Sequence, residues 1–140
     1  MPFAVSDDDL DFSISKGLAA AHEAYRRAGR GELFYALSLL DELRQHIMHA
    51  DDWLHDRTPE TAVAAKFDMR GSRAVLAALK ASYCPCEADA ILVALRMLTE
   101  TYRAQLMELH GKFGLVRPLA SDLEALDILK PATDRLHPEN

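Results

Sequence analysis

Glu32-Leu33-Phe34-Tyr35-Ala36-Leu37-Ser38-Leu39-Leu40-Asp41-Glu42-Leu43-Arg44-Gln45-His46-Ile47-Met48-His49-Ala50-Asp51-Asp52-Trp53-Leu54-His55 is the stretch that decides the fold. Ala36, Leu39, Leu40, Leu43, Ile47, Ala50 and Leu54 recur three and four residues apart. On an α-helix that spacing gathers them into one stripe about 100° wide, the face that seeks a core. The reading is a long amphipathic helix over residues 32–55.

The same periodicity extends to both sides. Upstream, Ser6 followed by Asp9 has the form of a capping box, and Leu10, Ile14, Leu18, Ala21 and Tyr25 continue a helical stripe. Gly29-Arg30-Gly31 stops it. Gly17, in its middle, costs about 1 kcal/mol relative to alanine. Downstream, Asp56-Arg57-Thr58-Pro59-Glu60 reads as a stop and a restart, with Thr58 as N-cap and Pro59 at the first helical position. A weaker third element follows, broken near Gly71-Ser72, resuming through Val75, Leu76 and Leu79, and ended by Ser82-Tyr83-Cys84-Pro85. The fourth helix is expected from about Pro85 to His110, with Ile91, Leu95, Leu98, Tyr102, Leu106 and Leu109 as its stripe and Gly111 and Gly114 to close it. A short terminal helix is expected over residues 121–130 and a frayed tail over 131–140. Together these predict an all-α domain over residues 1–130, an antiparallel up-and-down four-helix bundle with a short extra C-terminal helix.

Composition agrees. The 140 residues are 49% hydrophobic and 27% charged, with 6 Gly and 6 Pro, and alanine, leucine, glutamate and arginine favour helix. A net charge of −6 argues against DNA, whose phosphates need clustered Lys and Arg. It suits a cationic small molecule or a basic partner surface. No apolar run reaches the roughly 18 residues of a membrane span, and the first residues lack the basic region of a signal peptide, so a cytoplasmic protein is expected.

Chemistry-bearing residues fall into four groups. Asp7, Asp8, Asp9 and Asp11 could bind a divalent cation, yet no phosphate cradle precedes them, and acids in a first turn complement the helix dipole. Cys84-Pro85-Cys86 is too close for an ordinary disulfide and too small for a zinc site, leaving reduced thiols at a helix start. No metal and no cofactor are expected. Tyr35, Glu42, His46 and Trp53, with His49, form a part-aromatic, part-polar flank beside the core stripe, open to a partner or a small molecule. Metal-binding bundles of DinB type would need a paired His on the fourth helix, which offers His110 alone. Arg96, Arg103 and His110 recur every seventh residue along one edge of that helix. Arg103 and His110 fit the arginine, six residues, histidine spacing of HEPN-type ribonucleases, where Arg would hold phosphate and His would move a proton. Arg44 and His49, about 140° apart on their helix, cannot converge.

Two stretches carry a family resemblance. Arg30-Gly31-Glu32-Leu33, with the Ala36-Leu37 and Leu40-Asp41-Glu42-Leu43-Arg44 that follow, resembles a helix of bacterial nucleotidyltransferases related to aminoglycoside adenylyltransferases. That helix opens the bundle of their C-terminal, substrate-binding half. Residues 90–103, ending in Tyr102-Arg103, then Gly114-Leu115 and Pro118, are similar to a later helix of the same half. The resemblance covers about residues 15–120 and implies a bundle lining a cleft beside a separate catalytic domain or subunit. It marks Glu32, Asp41, Glu42, Arg44, Tyr102 and Arg103 as cleft-facing or partner-facing. No Gly-Ser turn with spaced strand aspartates accompanies these helices, so the resemblance implies binding rather than catalysis. The HEPN fold is akin to the same bundle. Three readings stay open: a non-catalytic substrate-binding or partner-binding module, a HEPN-like endoribonuclease acting as a dimer, and a homo-oligomeric structural bundle.

Overall fold

The computed structural model describes residues 3–129; the tail expected over 131–140 lies outside them. The chain is all-α. Among the described residues the elements are α1 (Asp7–Gly29), α2 (Leu33–Leu54), α3 (Phe67–Arg70), α4 (Arg73–Ala81), α5 (Ala88–Phe113) and α6 (Leu119–Asp127), with no strand.

Local chemistry explains most boundaries. Ser6 caps α1 by accepting a 3.1 Å hydrogen bond from the Asp9 N–H, and Asp7, Asp8 and Asp9 occupy the first turn, where the helix dipole favours acids. Gly31, at φ +79°, turns the chain from α1 into α2. The expected restart at Thr58 does not occur. Asp56 adopts φ +59°, the Arg57 N–H returns to the Asp52 carbonyl at 2.8 Å, and the Arg57 side chain folds back onto Asp51 and Asp52. That return holds the segment as an irregular loop until α3. The α5 helix starts three residues later than Pro85, because the Glu87 N–H closes a tight turn onto the Pro85 carbonyl. It then runs through Gly111 and ends at Gly114, in the left-handed conformation.

The three long helices share one core. Leu10, Ile14 and Ala21 of α1, Leu40, Leu43 and Ile47 of α2, and Ile91, Leu95, Leu98, Leu106 and Leu109 of α5 are almost wholly removed from solvent. Cross-contacts give their directions. Ser13 meets His46 while Arg27 meets Glu32, so α1 and α2 run oppositely. Gln105 reaches the Ile47 carbonyl and Lys112 the Leu54 carbonyl, so α2 and α5 run the same way. The shorter α4 returns between them: its Ser72 end sits at Asp51 and its Ser82 end at Arg44. The α6 helix lies against α5 and α1.

At Gly17 the backbone of α1 packs directly against the Tyr102 ring of α5. A Cβ there would stand 2.5 Å from Tyr102 Oη and 2.7–2.8 Å from two ring carbons. Tyr102 is 1% exposed, so the ring has nowhere to retreat. Gly17→Ala gains about 1 kcal/mol of helix propensity and loses up to about 3 kcal/mol to overpacking. A net destabilisation of about 1–2 kcal/mol is expected in urea unfolding. A stabilised variant would show that the ring can move.

Candidate functional site

Polar constellations and several surface recesses compete for a functional role. Around the end of α2, Asp51 and Asp52 are 1% and 0% exposed, yet both carry ion pairs. Asp52 accepts bonds of 2.8 Å from Arg57 Nε, Arg70 Nε and Arg70 Nη2. Burial pushes its carboxyl up, and the bonds from Arg70 and Arg57 outweigh this and hold it below the ordinary aspartate value. Asp51 accepts from the Ser72 N–H at 2.9 Å, from Ser72 Oγ at 2.8 Å and from Arg57 Nη2 at 3.1 Å. This clamp fixes the loop and the start of α4 against α2.

Beside it lies a recess of about 380 Å³ between α2, α4 and α5. Asp51, Leu54 and His55 line it from the end of α2, Ser72, Ala74 and Val75 from the start of α4, and Thr101, Ala104, Gln105 and Glu108 from α5. Neither Lys nor Arg lines it. Gln105 is 4% exposed; its Nε2 donates to the Ile47 carbonyl at 2.9 Å, while its Oε1 has no hydrogen-bond partner.

The expected flank on α2 divides into separate environments. Tyr35 is half-exposed at the α1–α2 turn, with the Arg27 guanidinium 4.6 Å from its ring centre. It lines a second, apolar recess with Phe34 and Cys86. His46, His49 and Trp53 form a column, with ring centres 5.6 Å apart at each step. Trp53 is buried, and His46 Nδ1 shares a 2.8 Å hydrogen bond with Ser13 Oγ of α1. Burial, with the charges of His49 and Lys16, pushes the His46 imidazole down to about 4. Glu42 is half-buried and lines none of these recesses. Thus Tyr35, Glu42, His46 and Trp53 do not line one cleft.

The positions marked by resemblance separate likewise. Tyr102 faces neither cleft nor partner; it is a core residue, and its burial pushes the hydroxyl well above its ordinary value. Its hydroxyl donates to the Ser13 carbonyl at 3.4 Å. Arg44 is also buried: it donates to Ser82 Oγ at 2.8 Å, the Ser82 carbonyl at 2.9 Å and Asp41 at 2.6 Å, under the Tyr83 ring. It therefore secures the end of α4. Asp41 stays exposed beside it, and Glu32 pairs with Arg27 and Arg30 at the surface.

The ribonuclease pair is occupied by α6. Arg103 donates to Asp127 at 2.8 Å. His110 is buried, with Nε2 2.8 Å from Asp122 Oδ2, and Arg117 holds the same carboxylate with bonds of 2.9 Å. Arg103 does line a third recess, of about 310 Å³, but Glu100 and Asp127 line it too. Arg44 and His49 are far apart in environment, one under Tyr83 and the other stacked on Trp53. Cys84 and Cys86 are free thiols in the turn before α5, and burial pushes the Cys84 thiol up.

Sequence reasoning passed over the buried acids and Gln105. Both left signals. Asp51 and Asp52 sit in the last turn of α2, where the helix dipole disfavours acids, and Gln105 interrupts an apolar stripe between Tyr102, Leu106 and Leu109. Among the described residues no helix is long and apolar enough to cross a membrane. No protein-family model and no curated protein sequence matches this chain.

Proposed function

We propose that the chain is a non-catalytic binding module of the kind that forms the C-terminal half of nucleotidyltransferases related to aminoglycoside adenylyltransferases. It receives a small acceptor molecule, and the catalytic groups come from a separate chain or domain. The observation that carries this reading is the recess between α2, α4 and α5, walled by apolar side chains and furnished with acceptor groups but no lysine or arginine. In this reading the architecture is an antiparallel up-and-down four-helix bundle: α1 and α4 run one way, α2 and α5 the other, α4 is shortened and α6 lies across an edge. Such bundles build ligand sites between facing helices.

The ribonuclease reading asks Arg103 to hold a phosphate and His110 to move a proton. Each group already has a carboxylate partner, so a substrate would have to displace α6. Exposed Phe34, Tyr83 and Val116 are what a homo-oligomeric bundle would cover, and the recess is the feature such a bundle has no use for.

The test uses the purified full chain with Mg²⁺ and ATP, amino-sugar and amine acceptors, and a panel of RNAs. Neither AMP transfer nor RNA cleavage is expected. AMP transfer by the chain alone would overturn the reading. RNA cleavage that disappears in a folded His110→Ala variant would replace it with the ribonuclease. That substitution is expected instead to cost about 1–3 kcal/mol of stability, because Asp122 loses one of its buried partners.

A further inference from the structure

The recess has a definite chemical bias. The unpartnered Gln105 amide oxygen and the Glu108 carboxylate are acceptors. The donors in the lining are the Ser72 and Thr101 hydroxyls and the His55 imidazole, and Ser72 Oγ and His55 Nδ1 are already engaged by Asp51. Gln105 cannot turn its amide around, because Nε2 is fixed by the Ile47 carbonyl, so the unpartnered atom is the oxygen. A buried acceptor without a donor is unfavourable, and Gln105 is more than nine-tenths buried. Glu108 adds an exposed carboxylate at the rim, and Asp51 a buried one at the back, saturated by Ser72 and Arg57. No lining side chain is a lysine or arginine that would answer these groups. Leu54, Ala74, Val75 and Ala104 supply surface with nothing to hydrogen-bond.

We propose that this recess binds a small organic cation: an ammonium head that donates to Gln105 and is balanced by Glu108, carried on a compact apolar body that packs against Leu54, Ala74, Val75 and Ala104. The proposal rests on the reading of the chain as a small-molecule binding module and narrows its ligand. A polyhydroxylated, multiply charged sugar fits less well, because the apolar walls would strip its hydroxyl groups of water without replacing the hydrogen bonds. The volume falls within the range of small-ligand sites, roughly 300–1,000 Å³.

The test is an amide-resonance titration of the full chain with 2-phenylethylamine, with 2-phenylethanol as the neutral probe and an aminoglycoside as the polycationic one. Saturable shifts centred on Leu54, Ala74, Val75 and Ala104 are expected with the amine. The alcohol should bind at least about tenfold more weakly, since an ammonium gains a charge-assisted hydrogen bond. Glu108→Gln, an exposed substitution that leaves the fold intact, should weaken the amine about fivefold. Gln105→Leu should weaken the amine about tenfold and the alcohol, whose neutral hydroxyl makes a weaker bond to the same oxygen, by less. If the alcohol shifts the recess and the amine does not, the cation assignment is overturned; if the aminoglycoside does and the amine does not, the compact apolar body is overturned; in both cases the binding-module reading stands. If none of the three perturbs the recess, both are overturned. Equal affinities for amine and alcohol, unchanged by Glu108→Gln, would also overturn the cation assignment.

Discussion

Replacing Asp52 by alanine is expected to lower the unfolding free energy by about 3 kcal/mol, at the lower end of what breaking a buried ion pair costs. The carboxylate is fully buried and accepts three charge-assisted hydrogen bonds from two arginines. Without it, Arg57 and Arg70 lose their shared anion and the loop before α4 loses its anchor. The cost stays near the lower end because the side chains of Arg57 and Arg70 are 29% and 22% exposed, so the freed guanidinium groups can rehydrate. Asp52→Asn, which keeps the volume, should lose most of the same energy, since a neutral amide cannot accept all three bonds at full strength. Arg70→Ala should be costly for a different reason: it leaves Asp52 buried with Arg57 alone. The double variant should then cost less than the sum of the singles. Urea unfolding followed by far-ultraviolet circular dichroism measures all four. A loss below about 1 kcal/mol for Asp52→Ala would place the pair with ordinary surface salt bridges and remove it as the device that positions α4. Because Ser72 and Val75 on α4 also line the proposed ligand recess, Asp52→Ala should weaken ligand binding without touching the ligand.

The helices were legible where burial is decided by spacing along one helix, and the site was not, because it is decided by pairings between helices. The α2 stripe of Ala36, Leu39, Leu40, Leu43, Ile47 and Ala50 is buried as its periodicity predicts, and its last member, Leu54, is half-buried. Ser6 caps α1, and Gly114 ends α5. Thr58-Pro59 had the residues of a helix start, but a cap is worth only about 1 kcal/mol. The return of Arg57 to two buried carboxylates outweighs it. The aromatic and polar flank of α2 was read from one helix at a time, which cannot show that α1 covers His46 at Ser13. Tyr102 offers a sharper lesson. Its place on the apolar stripe of α5, between Leu98 and Leu106, already assigned it to the core, and its burial follows the stripe rather than the resemblance. The fit of that ring onto Gly17 is a contact across 85 positions of sequence, beyond the reach of any local pattern.

Acidification is expected to weaken the fold between pH 6.5 and about 4, with His46 the main cause. In the folded chain its imidazole is neutral down to about pH 4, because burial against α1 and the neighbouring His49 and Lys16 charges oppose protonation. In the unfolded chain it takes a proton near pH 6.5. Between those values the unfolded state binds more protons, so stability falls as pH falls; above 6.5 the contribution is flat. A shift of this size corresponds to about 3 kcal/mol for a fully sheltered group, and about 2 kcal/mol after allowing for the water that half-buried His46 still meets. His49 is pushed in the same direction by burial, with Asp52 opposing. The Asp52 clamp acts in a separate window, because its carboxyl is held below the ordinary value and its contribution is lost only below about pH 4. Urea unfolding at pH 7.5, 6, 5 and 4.2 distinguishes the two. His46→Gln, which cannot titrate, should lower stability at pH 7.5 and flatten most of the loss toward pH 4.2, whereas Asp52→Asn should leave that slope in place. A slope unchanged in His46→Gln would mean that the imidazole takes up its proton in the folded chain near pH 6.5, and that the contact with Ser13 does not keep it neutral.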